Sequence, residues 1–172
     1  ACAPTGLKYT VEQMLENMCQ ADPEFSAMSL RYFNPVGAHA SGLIDELPRG
    51  VPNSLMPYIT QVAQKKLPYL RIFGDDYPTQ DGTCVRDYIH VLDLVAGHLK
   101  ALLYIDQHTG AHLFNLGTGK GYSVLQVVKA FGIINQCTIP YKILPRRTGD
   151  LAAYWADAHQ ATIQLGWQAK RS

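Results

Sequence analysis

The stretch DGTCVRDYIHVLDL, residues 81–94, passes from turn residues into a strand pattern and then into a helix pattern. The β-branched and aromatic run from Val85 to Val91 predicts a strand. We expect Asp93 to cap the helix that follows, because a carboxylate at that position can accept a free backbone N–H. A charged pair, Arg86 and Asp87, stands at the mouth of the strand. A strand that leads directly into a helix is typical of α/β proteins.

The rest of the chain repeats this alternation. Apolar residues spaced three and four apart predict helices over residues 9–20, 54–63, 93–105, 123–131 and 157–165. Short apolar runs bounded by turn residues predict strands over residues 25–32, 69–73, 85–91, 112–117 and 141–144. Ser54 and Ser123 stand where they can cap the second and fourth of these helices. We therefore expect an α/β fold.

Composition excludes several classes of protein. Of the 172 residues, 47% are hydrophobic, which allows an extensive core and argues against global disorder. The net charge is +1 and no basic block is present, so we expect no nucleic-acid partner. No apolar run reaches the roughly 18–20 residues that a bilayer requires, and no signal peptide opens the chain, so we expect no membrane association.

Cysteine and histidine usage points to an ordinary intracellular protein. The four cysteines have no CxxC spacing, which indicates reduced thiols and a cytoplasmic location. His90 and Asp93 stand three residues apart, but we interpret them as structural residues and expect no metal site.

Two loops carry residue types that bind phosphate. GTGKGYS, residues 117–123, lacks the third glycine of the dinucleotide fingerprint, because Tyr122 stands at that position. We interpret this loop as a structural turn between a strand and a helix. PRRTGD, residues 145–150, offers guanidinium groups for phosphate oxygens and a carboxylate for a ribose diol. From the residues alone, a solvated basic turn is an equally good interpretation of this second loop.

Arg86 supplies a further guanidinium group. Its neighbour Asp87 can either hold the local backbone or neutralise Arg86, and a surface ion pair of that kind contributes less than about 1 kcal/mol. If Arg86 and Arg147 converge, they form a clamp for a diphosphate where a sheet edge opens onto a cleft, as open α/β sheets commonly bind ligands. Asn34 can add an amide donor to the same cleft.

Five motifs follow one another in the sequence: LRYFNPVGAHASG (30–42), NSLMPYITQVA (53–63), IFGDDYPTQDGTCVRDYIHVLDLVAGH (72–98), FNLGTGKGYSVLQVV (114–128) and PRRTGDLAAYWAD (145–157). Together they resemble the UDP-glucose 4-epimerases, also called UDP-galactose 4-epimerases, over about residues 8–167. These enzymes are extended short-chain dehydrogenases/reductases. Their N-terminal Rossmann domain holds a tightly bound NAD, and their smaller C-terminal domain holds a UDP-sugar.

The resemblance implies a partial Rossmann-like fold with the smaller C-terminal sugar-nucleotide-binding domain. Residues 1–34 would be a remnant of the NAD-binding Rossmann domain. Residues 35–172 would be mainly the UDP-sugar-binding domain, with some segments returning to the Rossmann sheet. We expect the chain to be the C-terminal portion of a longer enzyme of galactose metabolism, which would be a homodimer.

The resemblance also assigns roles to single residues. Lys8 would be catalytic and would bind NAD together with Tyr32. The substrate, UDP-glucose or UDP-galactose, would be bound by Asn34, Ser54, Leu55, Arg71, Ile72, Phe73, Arg86, Arg147, Asp150 and Tyr154.

Within this set, the nucleotide and the sugar have different partners. Arg86 and Arg147 match the arginines that bind the diphosphate in the family, and Asp150 matches the acid that binds the ribose. Phe73 would offer an apolar contact to uracil. Tyr154 would stand near the C2 substituent of the sugar, where its bulk should favour glucose and galactose over their N-acetyl forms.

Departures from the family pattern concern the chemistry. Lys8 matches the lysine of the Tyr-x-x-x-Lys motif, but Pro4 stands in place of the tyrosine that acts as general base. The glycine-rich cofactor loop is absent from these residues, and Ser54 replaces an asparagine that contacts UDP. We expect the parent enzyme to interconvert UDP-glucose and UDP-galactose through a transient 4-keto intermediate and NAD-mediated hydride transfer, and this chain alone to be inactive. A non-catalytic UDP-sugar-binding module and a related NAD-dependent dehydratase or decarboxylase are the alternatives.

Overall fold

Helices and strands alternate along the chain, as the spacing of apolar residues predicts. The computed structural model describes residues 6–43 and 50–171. The helices are α1 (Gly6–Ala21), α2 (Leu55–Ala63), α3 (Val91–Ile105), α4 (Val124–Ile134) and α5 (His159–Leu165). The strands are β1 (Ser26–Tyr32), β2 (Asn34–Val36), β3 (Leu70–Phe73), β4 (Val85–Arg86), β5 (Tyr88–His90), β6 (Gly110–Leu116), β7 (Tyr122–Ser123) and β8 (Tyr141–Leu144). The predicted α/β class is confirmed.

The strands form pairs, most of them parallel. β1 pairs with β6, β2 with β5 and β3 with β8 in parallel, whereas β4 and β7 are antiparallel. Parallel partners need a crossover connection, and helices lie in the connections here. In each parallel pair the carboxyl ends of both strands lie at the same edge, so the loops that follow them leave side by side.

The chain divides into two compact units. Unit 1 comprises Ala1–Ala38, Asp87–Lys120 and Trp155–Ser172, and unit 2 comprises His39–Arg86 and Gly121–Tyr154. The core of unit 1 is formed by Ile89, Leu94, Ala101, Phe114, Leu116, Ala161, Leu165 and Trp167. The core of unit 2 is formed by Tyr58, Ile59, Val62, Leu70, Ile72, Val128 and Ile139. Each unit thus buries its own set of apolar side chains, the main favourable contribution to folding.

Residues 85–91 form two short strands rather than the single strand predicted. β4 ends at Arg86 and pairs with β7 in unit 2, whereas β5 begins at Tyr88 and pairs with β2 in unit 1. The change falls at Asp87, which is fully buried. Alternation of residue types indicates the face on which a side chain lies and not the strand with which the backbone pairs, so it could not reveal this break.

His90, rather than Asp93, caps α3, so the predicted cap was wrong. The last residue of β5 already has the extended backbone of an N-cap, and Nδ1 of His90 accepts the backbone N–H of Leu92. Asp93 lies in the first turn, where its buried carboxylate accepts the backbone N–H groups of Lys170 and Arg171 and the guanidinium of Arg171. Asp93 therefore holds the C-terminal segment of unit 1 against the start of α3.

The two predicted serine caps differ. The hydroxyl of Ser123 accepts the backbone N–H of Gln126 at 3.0 Å, and the Gln126 side chain accepts the N–H of Ser123 at 2.8 Å. This reciprocal capping box confirms the cap of α4. Ser54 has the extended backbone of an N-cap at α2, but its hydroxyl makes no capping hydrogen bond with the residues described.

Apolar side chains also lie on the surface of unit 1. In α1, the predicted stripe includes Met14 and Met18, which are 58% and 49% exposed. In α3, Leu94 and Ala101 are buried, whereas Leu102 is 64% exposed. A residue one position beyond a buried one is rotated by about 100° around a helix, which carries Leu102 off the buried side.

Three cysteines, Cys19, Cys84 and Cys137, are free thiols, and Cys2 lies outside the described residues. His90 and Asp93, which we interpreted as structural, have the structural partners given above. Across residues 6–43 and 50–171, no helix has both the length and the apolar character needed to cross a bilayer.

Candidate functional site

The candidate site lies in unit 2, at the carboxyl ends of β3 and β8. In this parallel pair Phe73 is opposite Leu144, and the N–H of Gly74 donates to the Leu144 carbonyl at 2.8 Å. The loops that follow the two strands therefore leave from one edge. That edge is where open α/β sheets bind ligands.

Two arginines converge on one carboxylate in this unit. Nε of Arg147 lies 2.9 Å from Oδ2 of Asp150, and Nη2 of Arg86 lies 3.9 Å from Oδ1 of the same side chain. The Arg147–Asp150 pair spans one turn, in which the N–H of Asp150 also donates to the Arg147 carbonyl. The structure thus brings together the guanidinium groups of Arg86 and Arg147, from which we predicted a diphosphate clamp.

Aromatic rings lie beside both guanidinium groups. The Arg86 guanidinium carbon is 4.4 Å from the centroid of the Tyr154 ring, and that of Arg147 is 4.7 Å from the centroid of the Phe73 ring. At these distances the negative face of a ring attracts a cation and limits where it can move. Both arginines are therefore restrained on two sides, by a carboxylate and by a ring.

Backbone pairing holds Tyr154 next to β4. The N–H of Val85 donates to the carbonyl of Ala152 at 2.8 Å, and the N–H of Tyr154 donates to the carbonyl of Val85 at 3.2 Å. Arg86 follows Val85 directly and donates from Nη1 to the Val85 carbonyl at 2.8 Å. The strand that carries one arginine is thereby joined to the segment that follows the other.

Asp81 organises the turn that leads into β4. Its carboxylate accepts the N–H of Thr83 at 3.0 Å, the hydroxyl of Thr83 at 2.7 Å and the hydroxyl of Ser123. Burial by itself raises the pKa of Asp81, but the hydrogen bonds from Ser123 and Thr83 outweigh burial and hold that pKa below its usual range. A charged Asp81 therefore helps to place Arg86, although no motif in the sequence indicates it.

Asp87 serves the backbone of unit 1 rather than neutralising Arg86. Its carboxylate accepts the backbone N–H groups of Thr118, Gly119 and Ala156 at 3.0–3.1 Å, and also the Thr118 hydroxyl at 2.6 Å. The sequence left open that Asp87 holds the local backbone or neutralises Arg86; the structure shows it holding backbone that is distant in sequence, at Thr118, Gly119 and Ala156. The ion-pair partner of Arg86 is Asp150 instead.

The same contacts explain why the loop GTGKGYS, residues 117–123, is a structural turn and not a phosphate-binding loop. The amides of Thr118 and Gly119 that a phosphate would need are bound to Asp87. A Cβ at Gly117 would lie 2.4 Å from Cβ of Ala156 and 2.7 Å from Oδ2 of Asp87, so only glycine fits there. The interpretation of this loop as a structural turn agrees with the structure.

Other predicted site residues of unit 2 lie in β3 and at the start of α2. The side chain of Arg71 is exposed and donates from Nε to the Tyr58 hydroxyl at 3.0 Å. Ile72 is 2% exposed as a whole residue and packs in the core of unit 2. Leu55 packs against the core of unit 2, and Ser54 precedes it with a hydroxyl that does not cap the helix.

The remaining predicted residues belong to unit 1. Lys8 is exposed in the first turn of α1. Tyr32 ends β1, is 56% exposed, and has its ring centroid 6.2 Å from that of His98. Asn34 begins β2, partly buried. Pro4, at the position of the family's tyrosine, lies outside the described residues.

Comparison with known proteins identifies the family. Residues 7–117 match the NAD dependent epimerase/dehydratase family. Over 164 residues, 95% of this chain, the sequence is 58% identical to the UDP-glucose 4-epimerase of Pasteurella multocida (strain Pm70), of which it covers 48%. This identity confirms the resemblance to the UDP-glucose 4-epimerases that the five sequence motifs indicate.

Solved structures of relatives have the same fold. The UDP-glucose 4-epimerase of Bifidobacterium longum, in complex with NAD+ and UDP, aligns with a TM-score of 0.91 at 50% identity, over 96% of this chain and 49% of that one. The enzyme of Stenotrophomonas maltophila, with bound NAD and formylated UDP-arabinopyranose, aligns equally well, with a TM-score of 0.91 at 50% identity and the same coverage. The chain spans about half the length of these relatives. Since the family match takes in well over half of its residues, the chain belongs to the NAD dependent epimerase/dehydratase family.

Proposed function

We propose that the parent enzyme, the full-length protein to which this chain would belong, interconverts UDP-glucose and UDP-galactose through a transient 4-keto sugar and NAD-mediated hydride transfer. The observation that carries this proposal is the convergence of Arg86 and Arg147 on Asp150, beside the Phe73 and Tyr154 rings. Guanidinium groups bind phosphate oxygens through paired, charge-assisted hydrogen bonds. The relatives named as UDP-glucose 4-epimerases, one of them solved with NAD+ and UDP, support the choice of ligand.

The residues of unit 2 would bind the nucleotide. Arg86 and Arg147 would hold the diphosphate, and Asp150 would exchange part of its contact with them for hydrogen bonds from the ribose hydroxyls. Phe73, at the end of β3, would pack against uracil, and Tyr154 would face the C2 position of the sugar. Arg71, Ile72, Ser54 and Leu55 would complete the contacts of this unit with UDP.

The residues of unit 1 would serve the cofactor and the reacting sugar. Lys8 and Tyr32 fit a bound NAD in chemical type and exposure, since an ammonium group can hold ribose hydroxyls and an exposed ring can lie against nicotinamide. The chemistry that NAD supplies when bound is the acceptance and return of one hydride. Asn34 would donate its side-chain amide to the sugar nucleotide.

A firm hold on UDP and a loose hold on the sugar would suit this reaction. The ketose must present both faces of C4 in turn, so strong contacts to the sugar ring would hinder it. Binding energy from the diphosphate, remote from C4, can retain the intermediate while the sugar turns. Arg86 and Arg147 would thus contribute to catalysis without contacting the reacting carbon.

This chain alone should show no turnover. Lys8 lacks its tyrosine partner because Pro4 stands there, and these residues contain no glycine-rich cofactor loop. Pro4 and Ser54 are also the features that favour a second candidate, a UDP-sugar-binding module without catalysis. For the whole protein we propose a cytoplasmic homodimer, the arrangement that the resemblance implies.

The proposal can be tested with the full-length protein. It should convert UDP-galactose to UDP-glucose, as followed by the anomeric proton signals of the two sugars, and a variant with both Arg86→Met and Arg147→Met should have lost this activity. Calorimetric titration should show UDP binding to the 172-residue chain and no NAD binding. UDP binding by the full-length protein without any conversion would favour the binding module, and absence of UDP binding would exclude both candidates.

A further inference from the structure

The two adjacent arginines of the 145–150 loop have different partners. Arg147 pairs with Asp150 and lies over the Phe73 ring, within the candidate site. Arg146 pairs instead with Asp76, in the loop that follows β3. The sequence motif PRRTGD presents both arginines alike, but the structure gives each a separate set of contacts.

Three contacts fix the Arg146 guanidinium. Its Nε donates to Oδ1 of Asp76 at 2.7 Å, and its Nη2 donates to the backbone carbonyl of the same residue. Its guanidinium carbon lies 4.1 Å from the centroid of the Tyr77 ring. We call the group of Asp76, Tyr77 and Arg146 the Arg146 brace. The hydrogen bond from Arg146 lowers the pKa of Asp76, which favours the charged form of this pair.

The brace joins two loops close to their strands. Gly74 follows β3 with a φ of +84°, and a Cβ there would lie 2.6 Å from Cε2 of Tyr77 and 2.8 Å from Cγ of Arg146. The aliphatic part of Arg146 and the Tyr77 ring therefore pack on the backbone of Gly74. Because β3 and β8 are paired in parallel, the brace sets the course of both loops just beyond the ends of these strands.

The positions of Arg147 and Asp150 in the candidate site depend on the path that these loops take. Arg147 follows Arg146 directly, and Asp150 is tied to Arg147 by a backbone hydrogen bond of 3.3 Å and by the ion pair. The side chains of Arg146 and Asp76 are 44% and 69% exposed, and an ion pair so exposed contributes little to global stability. Its effect should therefore show in the placement of Arg147 and Asp150 more than in the stability of the fold.

We propose that Arg146 is a positioning residue for nucleotide binding, which acts by holding the loop that carries Arg147 and Asp150. This inference rests on the proposed function, in which those two residues contact the diphosphate and the ribose. Arg146 itself contacts neither. Asp76 and Tyr77 are its partners in this role.

The test measures binding of UDP and of uridine to full-length variants. Arg146→Met should weaken both ligands about tenfold, the effect of one lost charge-assisted hydrogen bond, because the loop carries contacts to ribose as well as to diphosphate. Arg147→Met, the matched control at the neighbouring arginine, should weaken UDP more than uridine, because Arg147 would contact the diphosphate directly, whereas Arg146→Met should weaken both ligands equally. Arg146→Lys, which keeps the charge and part of the hydrogen bonding, should recover part of the loss.

Asp76→Asn separates positioning from charge. Removal of a negative charge near an anion site strengthens anion binding by electrostatics alone. We expect the opposite, a loss of about tenfold for UDP, with the double variant Arg146→Met/Asp76→Asn no weaker than either single variant. If Arg146→Met fails to fold, as shown by circular dichroism, Asp76→Asn carries the test by itself.

Several outcomes would overturn the inference. These are unchanged UDP binding by Arg146→Met or Asp76→Asn, a loss confined to UDP in Arg146→Met, and losses that multiply in the double variant. Absence of UDP binding by the unmutated protein is a different outcome, because it would refute the proposed function itself.

Discussion

Nη2 of Arg86 lies 3.9 Å from Oδ1 of Asp150, and the Arg86 side chain is only 11% exposed. Arg147, which shares this carboxylate, has a side chain that is 56% exposed. Solvent weakens the attraction between charges less when they are buried. The two guanidinium groups are therefore unequal, although the sequence alone assigns them the same role.

The inequality predicts which arginine matters more for UDP. Arg86→Met should weaken UDP binding by the full-length protein roughly 100-fold and Arg147→Met about tenfold, measured by calorimetric titration. Lys142→Met is the control for charge, because this substitution changes the net charge by the same amount. Lys142 lies over the Tyr69 ring and not over a ring of the candidate site. Its substitution should change affinity by no more than about twofold, because salt screens exposed charges. Equal losses at both arginines, or a larger loss at Arg147, would contradict the argument from burial.

Much of the fold could be predicted because it depends on local patterns. Apolar spacing located all five helices among the described residues, and the Ser123 cap with Gln126 three residues later is a local signature. The predictions that were wrong concern residues whose role depends on a partner distant in sequence. Asp93 has the residue type of a cap, yet it binds Lys170 and Arg171.

The candidate site shows the same division. Residue type suggests that Arg86 and Arg147 can bind phosphate, but only the fold shows that both reach Asp150. The resemblance to a family supplied their expected roles. The partners of Asp87 could not be predicted, since they are backbone amides at Thr118, Gly119 and Ala156, distant in sequence, and backbone amides have no signature in a sequence.

Asp87 should contribute strongly to stability. Asp87→Ala removes the common acceptor of the buried Ala156 amide and of the Thr118 and Gly119 amides, so the free energy of unfolding of the full-length protein should fall by about 3 kcal/mol or more, measured by urea titration. Thr118→Val is the matched control, because it removes only the hydroxyl that donates to Asp87 at 2.6 Å. Its cost should be about 1 kcal/mol. A similar cost for the two substitutions would show that the amides find water instead.

Asp93 should make stability depend on pH at the acid end. Burial raises its pKa, but the backbone amides of Arg171 and Lys170 and the Arg171 guanidinium outweigh burial, so the net pKa is lowered. A carboxyl whose pKa is lower in the folded state stabilises the fold above its unfolded pKa of about 3.9. That contribution disappears as the pH falls through the folded pKa.

The measurement is the free energy of unfolding as a function of pH for the full-length protein and its Asp93→Asn variant. The difference between them should be constant above about pH 5 and should narrow below about pH 4. Arg171→Met removes one of the groups that lower the pKa of Asp93, so its acid dependence should be weaker than that of the unmutated protein. A difference that widens in acid would mean that the pKa of Asp93 is raised.

Tyr77 should tolerate the loss of its hydroxyl but not of its ring. The hydroxyl is buried, which raises the pKa of Tyr77, and it makes no hydrogen bond within residues 6–43 and 50–171. The Cys84 thiol lies beside it without the geometry of a hydrogen bond. Tyr77→Phe removes a buried polar group that has no partner, so the free energy of unfolding should stay the same or rise by up to about 1 kcal/mol.

The ring has a separate role, because the Arg146 guanidinium carbon lies 4.1 Å from its centroid. Tyr77→Phe keeps that face and should bind UDP like the unmutated protein, since a phenyl ring also attracts a cation. Tyr77→Ala leaves a cavity and should cost about 3 kcal/mol or more in urea titrations, with weaker UDP binding as well. If Tyr77→Phe destabilised the protein as much as Tyr77→Ala, the Tyr77 hydroxyl would have to be hydrogen-bonded. The weaker UDP binding of Tyr77→Ala could then not be assigned to loss of the contact between the ring and Arg146.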